Sequence, residues 1–198
     1  MSNIQLLTAA YMFAADKHRD QRRKNVHVSP YINHPIDVAY ILTSVGITDI
    51  NTLIGGILHD TVEDTKTSYD EIIEKFGQEV ADIVRECSDN KALDKVQRKK
   101  EQLAHARIIS DKAKLIKLAD KFSNCRELLD VPPKNWSQKV IYGYAVWCFA
   151  VCQNLFGIND LLDRKLMSMF QDFGISDMDP LTLNDKLEEY YSDIQNSN

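Results

Sequence analysis

Apolar residues return every three to four positions along almost the whole chain, and that rhythm restricts it to packed helices. Leu7, Tyr11, Ala14 and His18 mark one face of a first helix. Val38, Ile41, Leu42 and Val45 mark a second, whose first turn suits Pro35. Leu53, Ile54, Ile57 and Leu58 mark a third, with Gly46 closing the helix before it and Thr48 as its cap. Ser68 and Glu71 form an S-x-x-E capping box for a short helix that stops near Gly77. Val80, Ile83, Val84 and Cys87 follow at the same spacing. The charged stretch from Lys91 to Ile108 reads as an exposed helix, and Ser110 caps a long one that ends by Pro132-Pro133. Two more helices are expected at about 136–156 and 159–173, with Gly174 as the stop. With 7 Gly and 5 Pro among 198 residues, a fold of short strands and tight turns is excluded. The expected class is all-α: one domain over residues 1–174, then an acidic tail, 175–198. Leu183, Leu187, Tyr190 and Ile194 trace a weak amphipathic helix in that tail.

The net charge is −5, which argues against nucleic acid as the partner. An anionic ligand would therefore need a local basic patch, and Lys17-His18-Arg19-Asp20-Gln21-Arg22-Arg23-Lys24 supplies one. No apolar run approaches the roughly 18 residues of a membrane helix, and no secretion signal opens the chain. The four cysteines form no C-x-x-C pair. Cys148 and Cys152 share one face of an apolar helix and read as buried thiols, which fits a reducing compartment and a cytoplasmic location.

The chemistry concentrates in Gly56-Ile57-Leu58-His59-Asp60-Thr61-Val62-Glu63-Asp64-Thr65. On a continuous helix His59 would lie over Glu63, and Asp60 over Asp64. One imidazole and three carboxylates beside an apolar helix face are costly unless a cation or a proton relieves them. Imidazole with carboxylate suits Mn²⁺, Fe²⁺, Zn²⁺ or Ni²⁺ better than calcium or magnesium. His34 and Asp120 interrupt two other apolar helical runs and join the set if those helices pack side by side.

The set His34, His59-Asp60 and Asp120 resembles the signature of the HD-domain metal-dependent phosphohydrolases. The longer strings Tyr31-Ile32-Asn33-His34-Pro35 and His59-Asp60-Thr61-Val62-Glu63-Asp64-Thr65 narrow the resemblance to the hydrolase domain of RelA/SpoT-type alarmone enzymes. The likeness is strongest to their small stand-alone members, including the metazoan SpoT homologues. It spans about residues 4 to 174 and takes in Gln21-Arg22-Arg23-Lys24 and Lys117-Leu118-Ala119-Asp120-Lys121 with Asn124. Phe122 stands where Leu is commoner in the family, an apolar exchange.

The resemblance implies an HD-domain helical bundle. His34, His59, Asp60 and Asp120 would hold one divalent ion, Mn²⁺ (manganese), and Glu63 and Asp64 would position and deprotonate a water. Arg23, Lys24, Lys95, Asn124 and Tyr144 would contact the substrate. The implied reaction removes the 3′-pyrophosphate of (p)ppGpp to leave GDP or GTP. Removal of the 2′-phosphate of NADPH is the rival enzymatic reading, and a non-catalytic nucleotide sensor ranks below both. In the second basic run only Lys95 is expected at the site; Arg98, Lys99 and Lys100 read as a solvated outer face. Trp136, Tyr142, Tyr144 and Trp147 read as core aromatics, with the Tyr144 hydroxyl turned to the pocket.

Overall fold

Local signals set most of the helix ends in the computed structural model, which describes residues 1–196. The first helix, α1 (Asn3–Lys17), opens on a reciprocal capping box between Ser2 and Gln5. A hairpin-like loop follows, pinned by a single antiparallel bridge between Arg22 and Pro30. It leads into α2 (Asn33–Ser44), where Pro35 occupies the first turn. Gly46 closes that helix at φ 87°, a conformation a side chain would strain. α3 (Ile50–Leu58) is capped by Asp49 rather than Thr48, because the Asp49 carboxylate accepts from both the backbone N–H and the hydroxyl of Thr52.

The chain then tightens through His59 and Asp60 into the single turn α4 (Thr61–Asp64). Ser68 caps α5 (Tyr69–Phe76), while the Glu71 carboxylate turns to Lys17 at 2.9 Å instead of completing the box. α6 (Gln78–Cys87) and α7 (Lys95–His105) come next, α7 capped by Asp94. Ser110 caps α8 (Asp111–Asp130), as its sequence indicates, and the chain leaves that helix just before Pro132-Pro133. α9 (Gln138–Gln153) and α10 (Asp160–Asp172) complete the expected pair. The described residues contain eleven α-helices and no strand.

Two apolar clusters fill the interior. The first joins α1, α3, α5 and α6 through residues such as Ala14, Ile57, Ile72 and Val84. The larger one joins α2, α8, α9, α10 and the C-terminal helix around Trp147, Phe149 and Phe170. α3 belongs to both clusters and is buried along nearly its whole length. Gly55 and Gly56 make its position possible. A Cβ on Gly55 would stand 2.7 Å from Cγ2 of Ile83 on α6 and 3.0 Å from Cδ1 of Ile116 on α8. Backbone can approach neighbours that closely only where no side chain intervenes.

Beyond Gly174 the chain forms α11 (Pro180–Gln195), with Asp179 as cap and Pro180 in the first turn. Leu187, Tyr190 and Ile194, the stripe legible in the sequence, are buried with Tyr191, and the helix lies along α9. No described helix is long and apolar enough to cross a membrane.

Candidate metal centre and its cavity

α2, the end of α3 and α8 converge on one point. His34 sits in the first turn of α2, His59 directly follows α3, and Asp120 lies mid-way along α8. Their ligand atoms fall within 4.8 Å of one another, and both imidazoles are buried. Nε2 of His34 is 3.1 Å from Oδ1 of Asp120, and Nε2 of His59 is 3.9 Å from the same oxygen. Asp60 closes the ring: its Oδ2 is 3.1 Å from Nε2 of His59 and 3.7 Å from Nε2 of His34. Oδ2 of Asp60 also accepts a 2.6 Å hydrogen bond from the Tyr31 hydroxyl.

The outer nitrogens show which tautomers these imidazoles hold. Nδ1 of His59 is 2.8 Å from the carbonyl of Gly56, so it must donate there. Nδ1 of His34 is 3.1 Å from the Ser123 hydroxyl, which already donates to Asp37 at 2.6 Å and therefore accepts from the ring. Arg126 holds Asp37 in turn through bonds of 2.6 and 2.7 Å. Both Nε2 atoms are thereby the ring positions left facing inward, where a bound ion would take their lone pairs, and Nε2 of His59 is buried without a hydrogen-bond partner. Imidazoles oriented through their distal nitrogens with carboxylates alongside are the donor set of a divalent transition metal.

Without a cation the charges must answer one another. Burial pulls the His59 imidazole down, but Asp60 and Asp120 outweigh it and hold the group at about 9. Burial pushes Asp60 up, yet the two imidazoles keep it well below the usual carboxylate range. Asp120 is held down likewise, by Lys121 first and then by His34 and His59. A cluster that recruits protons and an ammonium so strongly is one that a divalent ion can relieve.

Glu63 and Asp64 take different partners from those a continuous helix would give them, because the helix breaks at His59-Asp60. Glu63 Oε2 accepts from the Asp89 backbone N–H at 2.9 Å, with Lys91 and Arg98 at 3.7 and 3.8 Å from its other oxygen. Burial pushes its carboxyl up to about 7, and the charges of Asp89, Asp60 and Asp64 add to the rise. Asp64 is paired with Lys91 at 2.7 Å and accepts from Gln21 at 2.9 Å.

His34, His59, Asp60, Asp120, Glu63 and Asp64 line one cavity of about 470 Å³, and so do the five residues expected to contact substrate. Arg23 lies across the Tyr31 ring and is engaged by Glu127, to which its Nε donates at 3.1 Å. Asn124 bridges Arg23 and the metal cluster, accepting from the guanidinium at 2.7 Å and donating to Asp120 at 2.5 Å. Lys24 and Lys95 approach the cavity from the loop and from α7 and have no carboxylate partner among the described residues. Burial, with Lys24 and Arg98 nearby, lowers the Lys95 ammonium. Tyr144 packs between Trp136 and Trp147, with ring centroids 5.6 and 5.5 Å away.

Arg98 and Lys99, expected on a solvated outer face, line the cavity instead. The Lys99 ammonium stands 3.3 Å from the Trp147 ring centroid and 4.6 Å from that of Tyr144. Burial, with Lys121 next to it, lowers that ammonium to about 7. The signal was present: Lys95, Arg98, Lys99 and Gln102 fall at i, i+3, i+4 and i+7 on one helix face. Tyr31 and Ser123 were missed as well, since neither position carries a signal until its partner is known.

Comparison with known proteins places these features in context. A family model described as an HD domain matches residues 10–147. The guanosine-3′,5′-bis(diphosphate) 3′-pyrophosphohydrolase MESH1 of Xenopus tropicalis is 48% identical over 176 residues, covering 88% of this chain and 98% of that protein. The Homo sapiens protein of the same name is 47% identical over 173 residues, 87% and 96% of the two chains. A solved structure, described as a metazoan ortholog of SpoT that hydrolyzes ppGpp, superposes with a TM-score of 0.84 at 42% identity. It covers 86% of this chain and 96% of that one.

Proposed function

The chain belongs to the HD-domain family and, within it, to the guanosine-3′,5′-bis(diphosphate) 3′-pyrophosphohydrolases. From that premise we propose that it hydrolyses (p)ppGpp at the 3′ position with one divalent ion, Mn²⁺, held by His34, His59, Asp60 and Asp120. The observation that carries the reading is the pair of inward Nε2 atoms gathered with Asp120, each ring fixed by a hydrogen bond at its far side. Asp60 completes the set through its oxygen 3.1 Å from His59.

The bound ion would acidify water and offset the charge that develops on the phosphoryl oxygens. The chain's own groups divide the remaining work. Glu63, held up at about 7, is matched to accept a proton from the attacking water near neutral pH. Asp64 is committed to Lys91 and Gln21, so it orients the water and its neighbours instead of taking the proton. As the water oxygen bonds to the 3′ phosphorus, the bond from phosphorus to O3′ breaks, and O3′ leaves as the ribose hydroxyl by gaining a proton from solvent, to which Glu63 in turn returns the one it accepted. The products are pyrophosphate and GDP or GTP. Lys24 and Lys95, free of carboxylates, meet the phosphates. Arg23 and Asn124 link the phosphate end to Asp120, and Tyr144 offers an aromatic wall. The four cysteines are free and buried, which supports a reducing, cytoplasmic setting.

The test is product release by metal-stripped protein re-supplied with Mn²⁺, with ppGpp and NADPH side by side. Pyrophosphate from ppGpp is the expected product. Phosphate from NADPH at the greater kcat/KM would reassign the substrate to a 2′-phosphorylated dinucleotide.

A further inference from the structure

The cavity has two chemically different ends. Around the metal cluster its wall is ionic, whereas Leu128, eight residues and about 12 Å beyond Asp120 along α8, lines it together with the apolar Pro133, Trp136 and Val140. Two further residues, Tyr190 and Ile194, back that end from beneath, nearly fully buried, and come from α11, a helix in the stretch after Gly174 that lies outside the family resemblance.

α11 is fitted to this place. A Cβ on Gly143 of α9 would stand 2.6 Å from Cδ2 and 2.9 Å from Cβ of Tyr190, so α9 is bare of side chain where that tyrosine seats. α11 also touches α7, where the Lys100 ammonium lies 4.7 Å from the Tyr191 ring centroid and 3.4 Å from Glu188. α7 buries none of its own residues, yet it carries Lys95, Arg98 and Lys99 to the cavity. The same helix therefore floors the apolar end and backs the basic wall.

We propose that α11 is a specificity element of the active site, its Tyr190 and Ile194 positioning the α9 wall that receives the nucleobase of the substrate; this rests on the nucleotide-hydrolase function proposed above. The phosphates of such a substrate are drawn to the ionic end, which leaves the base to the apolar one. A base ring gains by apolar contact and is sensitive to the loss of single methylenes in the surface that receives it.

The experiment compares Tyr190→Leu and Ile194→Ala with Leu181→Ala, which alters an exposed position of α11 away from the cavity. Four quantities are read on the Mn²⁺-loaded protein: KM and kcat for ppGpp, GDP affinity by Trp fluorescence, inhibition by inorganic pyrophosphate, and the melting temperature. In the two cavity variants KM should rise and GDP affinity fall by about tenfold. Their kcat and pyrophosphate inhibition should stay within about twofold, since the ionic end is untouched. Leu181→Ala should match the parent protein in all four. Unchanged GDP affinity in both cavity variants would overturn the inference, and so would a parallel loss of pyrophosphate affinity or an equal effect of Leu181→Ala. If the parent protein releases nothing from ppGpp, the hydrolase reading fails and the GDP titration alone decides the role of α11.

Discussion

The two ends of the cavity are built on different principles. At the metal end each imidazole is held by packing and by a hydrogen bond at the far side of its ring, His34 through Ser123 and His59 through Gly56, while Tyr31 donates to the Asp60 oxygen that faces them. At the phosphate end Lys24 comes from a loop, and Lys95 comes from a helix with no buried residue. Neither ammonium has a carboxylate to hold it among the described residues. A site for one small ion needs fixed geometry, because coordination tolerates little error. A site for several phosphates needs charge within reach, and long flexible side chains supply that without rigid support.

The contrast is broken most completely by removing a ligand. His59→Ala or Asp120→Ala should abolish both bound metal and turnover, read by metal analysis and pyrophosphate release on the same sample. Glu63→Gln should keep the metal and lower kcat by roughly 10²–10⁴-fold. Parallel loss of metal in that variant would move Glu63 into the ligand set.

The acid limb of the pH profile belongs to the same residue. A general base must be deprotonated, so kcat/KM of the metal-loaded protein should climb with pH along a limb that lies below the about 7 of the metal-free carboxyl, because the ion offsets Asp60, and that is absent from Glu63→Gln. The effect on stability has the opposite sign. A carboxyl raised from 4.5 to about 7 on folding favours the folded state below 4.5, and that advantage is lost as pH climbs to about 7. Metal-free Glu63→Gln should therefore be more stable than the parent protein at pH 8, by up to roughly 3 kcal/mol in chemical denaturation.

Smaller effects sharpen the comparison. Ser123→Ala takes away the acceptor that fixes the His34 tautomer and should weaken metal binding about 10- to 100-fold, measured by competition with a chelator. Lys24→Ala or Lys95→Ala should leave metal affinity alone and raise KM for ppGpp about tenfold, with an effect that shrinks in high salt. A change of metal affinity in either lysine variant would erase the division between the two ends.

How much of this was legible beforehand follows from the range of each interaction. Caps and turns are local, so Ser68, Ser110 and Gly174 could be read directly, and the chemistry-bearing residues stood out because their motifs are short and contiguous. Capping at Asp49 instead of Thr48 was a choice between adjacent residues, made by the side chain that reached Thr52. The break at His59-Asp60 opposed the helical pattern around it, and it redirects Glu63 toward Asp89.

The sequence by itself determined an all-helical chain, the identity of its ionisable residues and the family to which they point. Tertiary structure decided where those residues meet. Gly55 lets α3 lie against α6 and α8, Gly56 lets it lie against α2, and that packing brings His59 to Asp120 and His34. It decided that Ser123 and a backbone carbonyl would aim the imidazoles, that α7 would turn Arg98 and Lys99 inward, and that α11 would reach the cavity wall. The physical reason is shared: periodicity says that a face is apolar or charged, whereas the partner of that face is set by the packing of helices distant in sequence.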